Sequence, residues 1–421
     1  MNRDQSERYV NLLLEGLLEG LSARDAWTFL TDFSLLLLCS GQQQLSEKVR
    51  RLLRERRWDL AVCEVAKYVE MPLFTGWEPL PTPPPACLEA AEDILKAYSE
   101  TPGISFKECS ALLDRLLGEM VQRKLIRDFI TPPFLADMMV QMLEPWPGCS
   151  ILDPACGSGG LLLAAQKQCP GSLLMGIEIR PPIAAAAALR LQISGGTAAN
   201  VREEDFFRLA DSMKSQWDMV LSNPPYDRDL SDTARFINGF LHVLKFGGRC
   251  AVLVPEGFLS STARSKANAA RRLLLKYHTL EAVISLPPEI YAPQLISHSS
   301  LLVFQKGKDE TKRDVFFSRV LREAGNSGGA GAYLPGIGRV LDSWRSWSAG
   351  EAPPDPEESE PSWWTVSHKA LVQGGSIFPA EGGRPASPSA ACAYHEEALR
   401  RVEERQSVLE SLLRRYIGGT E

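Results

Sequence analysis

A chain of 421 residues, 44% hydrophobic and 23% charged, is long enough for two or three domains and has the make-up of an ordinary globular protein. A net charge of −6 and a pI near 5.6 weigh against unaided nucleic-acid binding, because neutralising phosphates needs a basic surface. Nine scattered cysteines with no Cys-x-x-Cys pair argue for buried thiols in a reducing compartment, and five scattered histidines make no metal constellation. No apolar run reaches membrane-spanning length and Met1-Asn2-Arg3-Asp4 is a polar start, so the expected location is cytoplasmic, with no membrane and no metal.

In chain order, an all-α N-terminal domain is expected over residues 1–125. Leu12, Leu13, Leu17 and Leu21 recur at helical spacing, and Arg24 to Leu38 repeats the pattern. Further helices fit Leu45 to Trp58, Val62 to Val69, Leu88 to Tyr98 and Lys107 to Leu125. The run Pro79-Leu80-Pro81-Thr82-Pro83-Pro84-Pro85 reads as an extended polyproline break and a hinge. Two basic clusters, Arg50, Arg51, Arg54, Arg56 and Arg57, then Arg264, Lys266, Arg271, Arg272 and Lys276, are at least as consistent with solvated helix faces as with a DNA surface.

From residue 126 to 310 the texture becomes that of a doubly wound α/β sheet. Short apolar strands at Ser150–Asp153, Leu173–Ile179, Trp217–Ser222, Arg249–Pro255 and Leu280–Leu286, with a weaker one at Ala198–Val201, alternate with helices. Ser299–Gln305 follows without a helix, so it should close the sheet as an antiparallel hairpin strand. Residues 311–393 are expected to be irregular and partly disordered, being rich in Gly, Ser, Pro and Glu. Residues 394–421 carry Leu399, Val402, Leu409, Leu412 and Tyr416 on roughly one stripe, an amphipathic helix that packs on its own domain or docks a partner.

Chemistry-bearing residues fall at the strand ends. Thr131 before Pro132 fits a helix N-cap with proline at the first helical position, and a helix N-terminus can receive a carboxylate. Asp153-Pro154-Ala155-Cys156-Gly157-Ser158-Gly159-Gly160 joins the first strand to a helix. Its glycines permit a sharp turn and close approach to a ligand, but the spacing is neither G-x-G-x-x-G nor a P-loop, and no lysine is present for phosphates. A ligand with a positive end and no phosphate fits better, with Asp153 to meet the cation. Glu178, at the end of the second strand, can accept two ribose hydroxyls. Asp205 and Phe206, after the weak strand, could hold a base.

Asn223-Pro224-Pro225-Tyr226 leaves the carboxyl end of a buried strand. The two prolines stiffen the turn, which joins an Asn amide to a Tyr ring. Such a turn accepts hydrogen bonds from an –NH2 group while the ring stacks on the plane behind it, which suits adenine.

Asp153–Gly160 followed by Asn223–Tyr226 resembles the gamma class of S-adenosylmethionine-dependent N6-adenine DNA methyltransferases. With the leader helices, Phe129–Phe134 and Leu286-Pro287-Pro288-Glu289-Ile290-Tyr291, the likeness is greatest to modification subunits of type I restriction–modification systems. The resemblance is good over about residues 100–306. It implies a Rossmann-like seven-stranded methyltransferase sheet with a terminal antiparallel hairpin strand, preceded by the all-α domain.

It also implies roles. Thr131 and the loop residues Asp153, Pro154, Ala155, Cys156, Gly157, Ser158 and Gly159 would contact the methionine part of S-adenosylmethionine. Glu178 would bind its ribose, and Asp205 with Phe206 its adenine. Asn223, Pro224, Pro225 and Tyr226 would hold the target adenine of duplex DNA. No apolar periodicity after residue 306 marks a target-recognition domain, so a separate specificity subunit is the expected partner, with a restriction subunit as a further candidate. Two alternatives stay open: a methyltransferase acting on RNA adenine or protein glutamine, and a non-catalytic cofactor-binding scaffold. A general Rossmann oxidoreductase is disfavoured by the missing glycine fingerprint.

Overall fold

The computed structural model describes residues 3–18, 21–41, 46–67, 69, 71–100, 106–126, 130–195, 200–226, 230–260, 265–291, 298–309, 314–321, 333–351, 363–374 and 377. The expected C-terminal helix at 394–421, Phe129, and residues 325–332 and 352–362 of the Gly- and Pro-rich stretch lie outside them.

The leader folds as α1 (Arg3–Leu18), α2 (Ala23–Gly41), α3 (Glu47–Arg54), α4 (Trp58–Ala66), α5 (Pro85–Glu100) and α6 (Phe106–Gln122). On α1 the buried stripe is Val10, Leu13, Leu14 and Leu17, at the i, i+3, i+4, i+7 spacing of one helix face, while Leu12 is exposed. The proline run expected as a hinge is instead pinned. Asp32, buried in α2, accepts from the indole N–H of Trp77 at 2.8 Å and of Trp58 at 3.2 Å, and from the Leu80 amide at 2.9 Å. Of the two basic clusters, Arg264 lies outside the described residues, and several of the others are paired or buried. Arg54 pairs with Glu47, Arg51 with Glu55 and Arg56 with Glu89, and Arg271 is buried, donating to the Phe258 carbonyl.

The second part comprises α7 (Pro133–Leu143), β1 (Ser150–Asp153), α8 (Gly160–Gln168), β2 (Leu173–Glu178), α9 (Pro181–Ile193), β3 (Asn200–Glu203), α10 (Phe206–Leu209), β4 (Trp217–Ser222) and α11 (Ser231–Val243). It continues through β5 (Leu244–Pro255), α12 (Glu256–Ser260), α13 (Lys266–Tyr277), β6 (Thr279–Leu286), β7 (Ser299–Gln305), β8 (Asp314–Arg319), α14 (Leu334–Ser348), β9 (Trp363–Ser367) and α15 (His368–Gly374). The strand order is β3-β2-β1-β4-β5-β7-β6-β8-β9, with β7 and β9 antiparallel to the rest. The expected hairpin is present: β7 lies between β5 and β6 and pairs antiparallel with both. Strand order reverses between β1 and β4, so the switch point where ligands bind in such sheets lies at the carboxyl ends of these two strands.

Two expectations need correction. The sheet has nine strands among the described residues, not seven, because β8 pairs with β6 and β9 with β8. Residues 311–393 are accordingly not irregular throughout. They hold β8, β9 and α14, whose buried Ile337, Val340, Leu341 and Trp344 recur at helical spacing and pack with Phe316. The glycines on either side obscure this stripe in the sequence. Gly336 itself has a packing reason, since a Cβ there would collide with the Leu321 carbonyl.

Leader and sheet share one helix. On α9, Ile183, Ala185, Ala186, Leu189 and Ile193 belong to the leader's core, and Ala184, Ala187, Ala188 and Leu191 to the core over the sheet. A helix apolar all round must be buried on all sides, and the alanine run lets its neighbours approach closely. The Thr31 hydroxyl of α2 donates to the Pro182 carbonyl at the start of α9 at 2.9 Å. No described helix is long and apolar enough to cross a membrane.

Candidate active site

A cavity of about 490 Å³ opens at the switch point, within the range of small-molecule sites. Its wall is made by loop residues Pro154, Ala155 and Gly157, by Glu178 to Arg180 after β2, by Asp205 to Phe207, and by Asn223 to Tyr226 after β4. Most sequence-predicted residues therefore converge. Thr131, Asp153, Cys156, Ser158 and Gly159 stand behind the wall and shape it.

The glycine loop is clamped from several sides. Asp153 is 1% exposed, and its Oδ1 accepts from the Ala155 amide at 3.2 Å. Burial pushes its carboxyl up to about 8, opposed by that amide and reinforced by Glu178. In the ligand-free protein Asp153 is thus a neutral loop anchor. The Cys156 amide donates to the Ile177 carbonyl at 2.9 Å, and the Cys156 thiol lies against Gly176 of β2. Burial raises that thiol well above its ordinary value, which makes it an unreactive packing group. Gly159 has φ of +82°, a conformation that favours glycine, and sits in ordinary contact with Ala187 of α9.

Glu178 at the end of β2 is buried, and its Oε1 accepts from the Arg180 amide at 3.0 Å and from Arg180 Nε at 2.9 Å. Ile179 between them is 63% exposed and presents an apolar side chain to the cavity. Asp205 caps α10, accepting from the Phe207 amide at 2.9 Å. Phe206 lines the cavity but packs into the core, stacked with Phe236 at 6.1 Å. The adjacent ring, Phe207, carries the Arg235 guanidinium 3.5 Å above its face. Ile179, Phe207 and Arg235 are among the wall residues that motif reasoning missed.

At the end of β4, Asn223 Nδ2 donates to Thr131 Oγ1 at 3.1 Å, and Asn223 Oδ1 accepts from the Tyr226 hydroxyl at 2.8 Å. Thr131 does not cap α7 as expected. The helix starts at Pro133 with Pro132 in the cap position, and the threonine hydroxyl meets Asn223 instead. The far end of α7 is fixed by Arg249, which donates to the Leu143 and Met142 carbonyls at 2.8 and 3.0 Å and to buried Glu281. Burial, with Tyr291 nearby, keeps the Tyr226 phenol well above its ordinary value and so protonated. Pro224 is buried and Pro225 exposed.

The family model of the N-6 DNA methylases matches residues 115–328, about half the chain. The chain belongs to the N-6 DNA methylase family. Among its relatives in this family, the type I restriction enzyme EcoEI methylase subunit of Escherichia coli is 22% identical over 236 residues, covering 49% of this chain and 47% of that protein. The type II restriction enzyme and methyltransferase RM.BcgI of Heyndrickxia coagulans is 25% identical over 183 residues, 38% of this chain and 29% of that one. The chain thus spans less than half the length of either relative. A chain solved in work on complex assembly of the type I restriction–modification system superposes with a TM-score of 0.69 at 19% identity, over 99% of this chain and 98% of that one, a likeness of fold.

In this family member the cavity has features that suit an S-adenosyl ligand. They are a glycine loop without a phosphate-binding lysine, a buried carboxylate at the second strand end, and an apolar side chain and aromatic face beyond it. Among the described residues no cluster of His, Cys, Asp or Glu could hold a metal ion.

Proposed function

We propose that the chain transfers a methyl group from S-adenosylmethionine to the N6 amine of an adenine turned out of duplex DNA. We further propose that it acts as a modification subunit whose sequence choice comes from a separate specificity subunit. The observation that carries this reading is the Asn223 amide at the end of β4, which lines the cavity, donates to Thr131 and accepts from Tyr226.

Thr131 accepts from one of the two N–H bonds of Asn223 Nδ2, which places the amide oxygen on the side of the Tyr226 hydroxyl. The side chain's oxygen is then the acceptor, with the Pro224 carbonyl as the second. Accepting both N–H bonds of the amine favours a pyramidal nitrogen and frees a lone pair otherwise delocalised into the ring. Tyr226 occupies the Asn223 oxygen while no base is present. When the base enters, its amine replaces the hydroxyl and the ring turns to stack, offsetting part of the cost of flipping. Glu178 would hold the ribose once Arg180 swings aside. Ile179 and Phe207, with Asp205 and Phe206, would hold the cofactor's adenine. The bound cofactor supplies an already activated sulfonium methyl, so the protein's work is positioning and electrostatics.

The EcoEI relative is a methylase subunit of a type I restriction enzyme, which supports the subunit reading and makes a restriction subunit a further candidate partner. The test is tritiated methyl transfer to duplex DNA by the full chain alone, by the chain with a co-expressed specificity subunit, and by Asn223→Ala with that subunit. Label in DNA N6-methyladenine only with the partner, lost in Asn223→Ala, is the expected result. Label in RNA or protein fractions instead would overturn the substrate, and label with the chain alone would overturn the dependence on a partner.

A further inference from the structure

Arg190, on α9, has its side chain 9% exposed and reaches in two directions. Its Nη1 donates to the Ser158 carbonyl of the glycine loop, and its Nη2 donates to Asp114 Oδ1 of α6 in the leader at 2.6 Å. Its Nε is buried without a partner among the described residues.

Burying a guanidinium is costly, and an apolar side chain of similar volume would usually stabilise such a site as well or better. Stability is therefore a weak reason for an arginine here. What an apolar residue could not do is hold the Ser158 carbonyl. Ser158 lies between Gly157, which lines the cavity, and Gly159, whose φ of +82° starts α8. A shift of that carbonyl is passed to Gly157 through one peptide unit. Arg190 is in turn aimed by Asp114, which stands on an element that contributes nothing to the cavity wall.

We propose that Arg190 is a positioning residue for the cofactor loop and that Asp114 sets it, so that the seating of the helical leader against α9 tunes affinity for the methyl donor. This rests on reading the cavity as an S-adenosylmethionine site. Anything that moves α6 relative to α9, including a protein docked on the leader, then reaches the cofactor through two hydrogen bonds.

The test uses the full chain and calorimetric titration with S-adenosylmethionine and S-adenosylhomocysteine. Asp114 is half-exposed, so Asp114→Asn should leave the fold intact and weaken binding of both by about twofold to fivefold. Asp114→Glu should recover most of the loss. In methyl-transfer assays Asp114→Asn should raise KM for the cofactor while kcat at saturation stays unchanged. Glu119→Gln, which removes the Arg123 partner on the same helix, should change neither. Wild-type affinity in Asp114→Asn overturns the proposal, as does an equal loss in Glu119→Gln, which would reduce the effect to general leader stability. A wild-type chain that binds neither ligand would instead overturn the cofactor reading itself, a separate and recognisable result.

Discussion

At the scale of single residues, the chemistry proposed for this loop depends on which way one amide faces. Asn223 has an oxygen and an NH2 group of nearly equal size, and only the oxygen can receive an amine's proton. In the structure Thr131 Oγ1 accepts from Nδ2 at 3.1 Å while the Tyr226 hydroxyl donates to Oδ1 at 2.8 Å. Replacing Thr131 by Val keeps the volume, removes that acceptor and leaves the amide free to turn. Single-turnover methyl transfer by Thr131→Val should therefore slow by about tenfold. Asn223→Ala, which removes the acceptor altogether, should slow it by about 10²–10³. Cofactor affinity should stay within about twofold in both, because neither side chain lines the loop side of the cavity. A Thr131→Val enzyme that methylates at the wild-type rate would refute the orienting role. The sequence already singled out Thr131, Asn223 and Tyr226, but its expectation of a helix cap at Thr131 gives way to a bond with Asn223. The contact that matters spans 92 residues of chain, and only tertiary structure supplies it.

Among elements, β2 and the loop after β1 are built as one unit, and the unit's tolerance is set at Gly176. A Cβ at that position would lie 2.7 Å from the Cys156 sulfur and 2.9 Å from Leu162 Cδ1, so the loop must move or the strand must bow. A glycine inside a strand often marks such a close approach. Gly176→Ala should lower stability by about 1–3 kcal/mol in denaturant titrations and also weaken cofactor binding. Gly148→Ala is the matched control. Gly148 has φ of +87° with open space around it, so its substitution costs backbone strain alone and should leave cofactor binding as it was. Unchanged affinity in a folded Gly176→Ala chain would sink the idea of a shared unit. Elements of this kind were readable from the sequence where strand period, turn glycines and helix alternation agreed, as from β1 to β7. Agreement failed at α14, where Gly336 and Gly338 depress helix propensity while Ile337, Val340, Leu341 and Trp344 demand a helix. There packing against Phe316 wins, and β8 and β9 join the sheet beside it.

For the molecule as a whole, the decisive feature is that α9 belongs to two cores at once, so leader and sheet should unfold together. Each half contains one buried carboxyl whose affinity for protons is raised by desolvation: Asp32 in the leader to about 7, and Asp153 under the cavity to about 8. In the unfolded chain both ionise near 4. Between about pH 4 and the folded value each group holds a proton in the native state that it has lost in the unfolded state. Native protein then binds more protons than unfolded protein, so stability falls as pH rises, by up to about 1.4 kcal/mol per pH unit for each group. Asp32 stops contributing to the slope above about pH 7 and Asp153 above about pH 8. Ligand-free protein followed by urea denaturation should therefore show one cooperative transition that weakens by a few kcal/mol from pH 5 to pH 8. Asp153→Asn should reduce the slope throughout that range and Asp32→Asn should reduce it below pH 7. Absolute stability is the wrong readout for Asp32→Asn, because its new NH2 group would face indole and amide donors that the carboxylate oxygens now satisfy. Two separate transitions, with Asp32→Asn altering one and Asp153→Asn the other, would show instead that the two cores melt independently despite the helix they share.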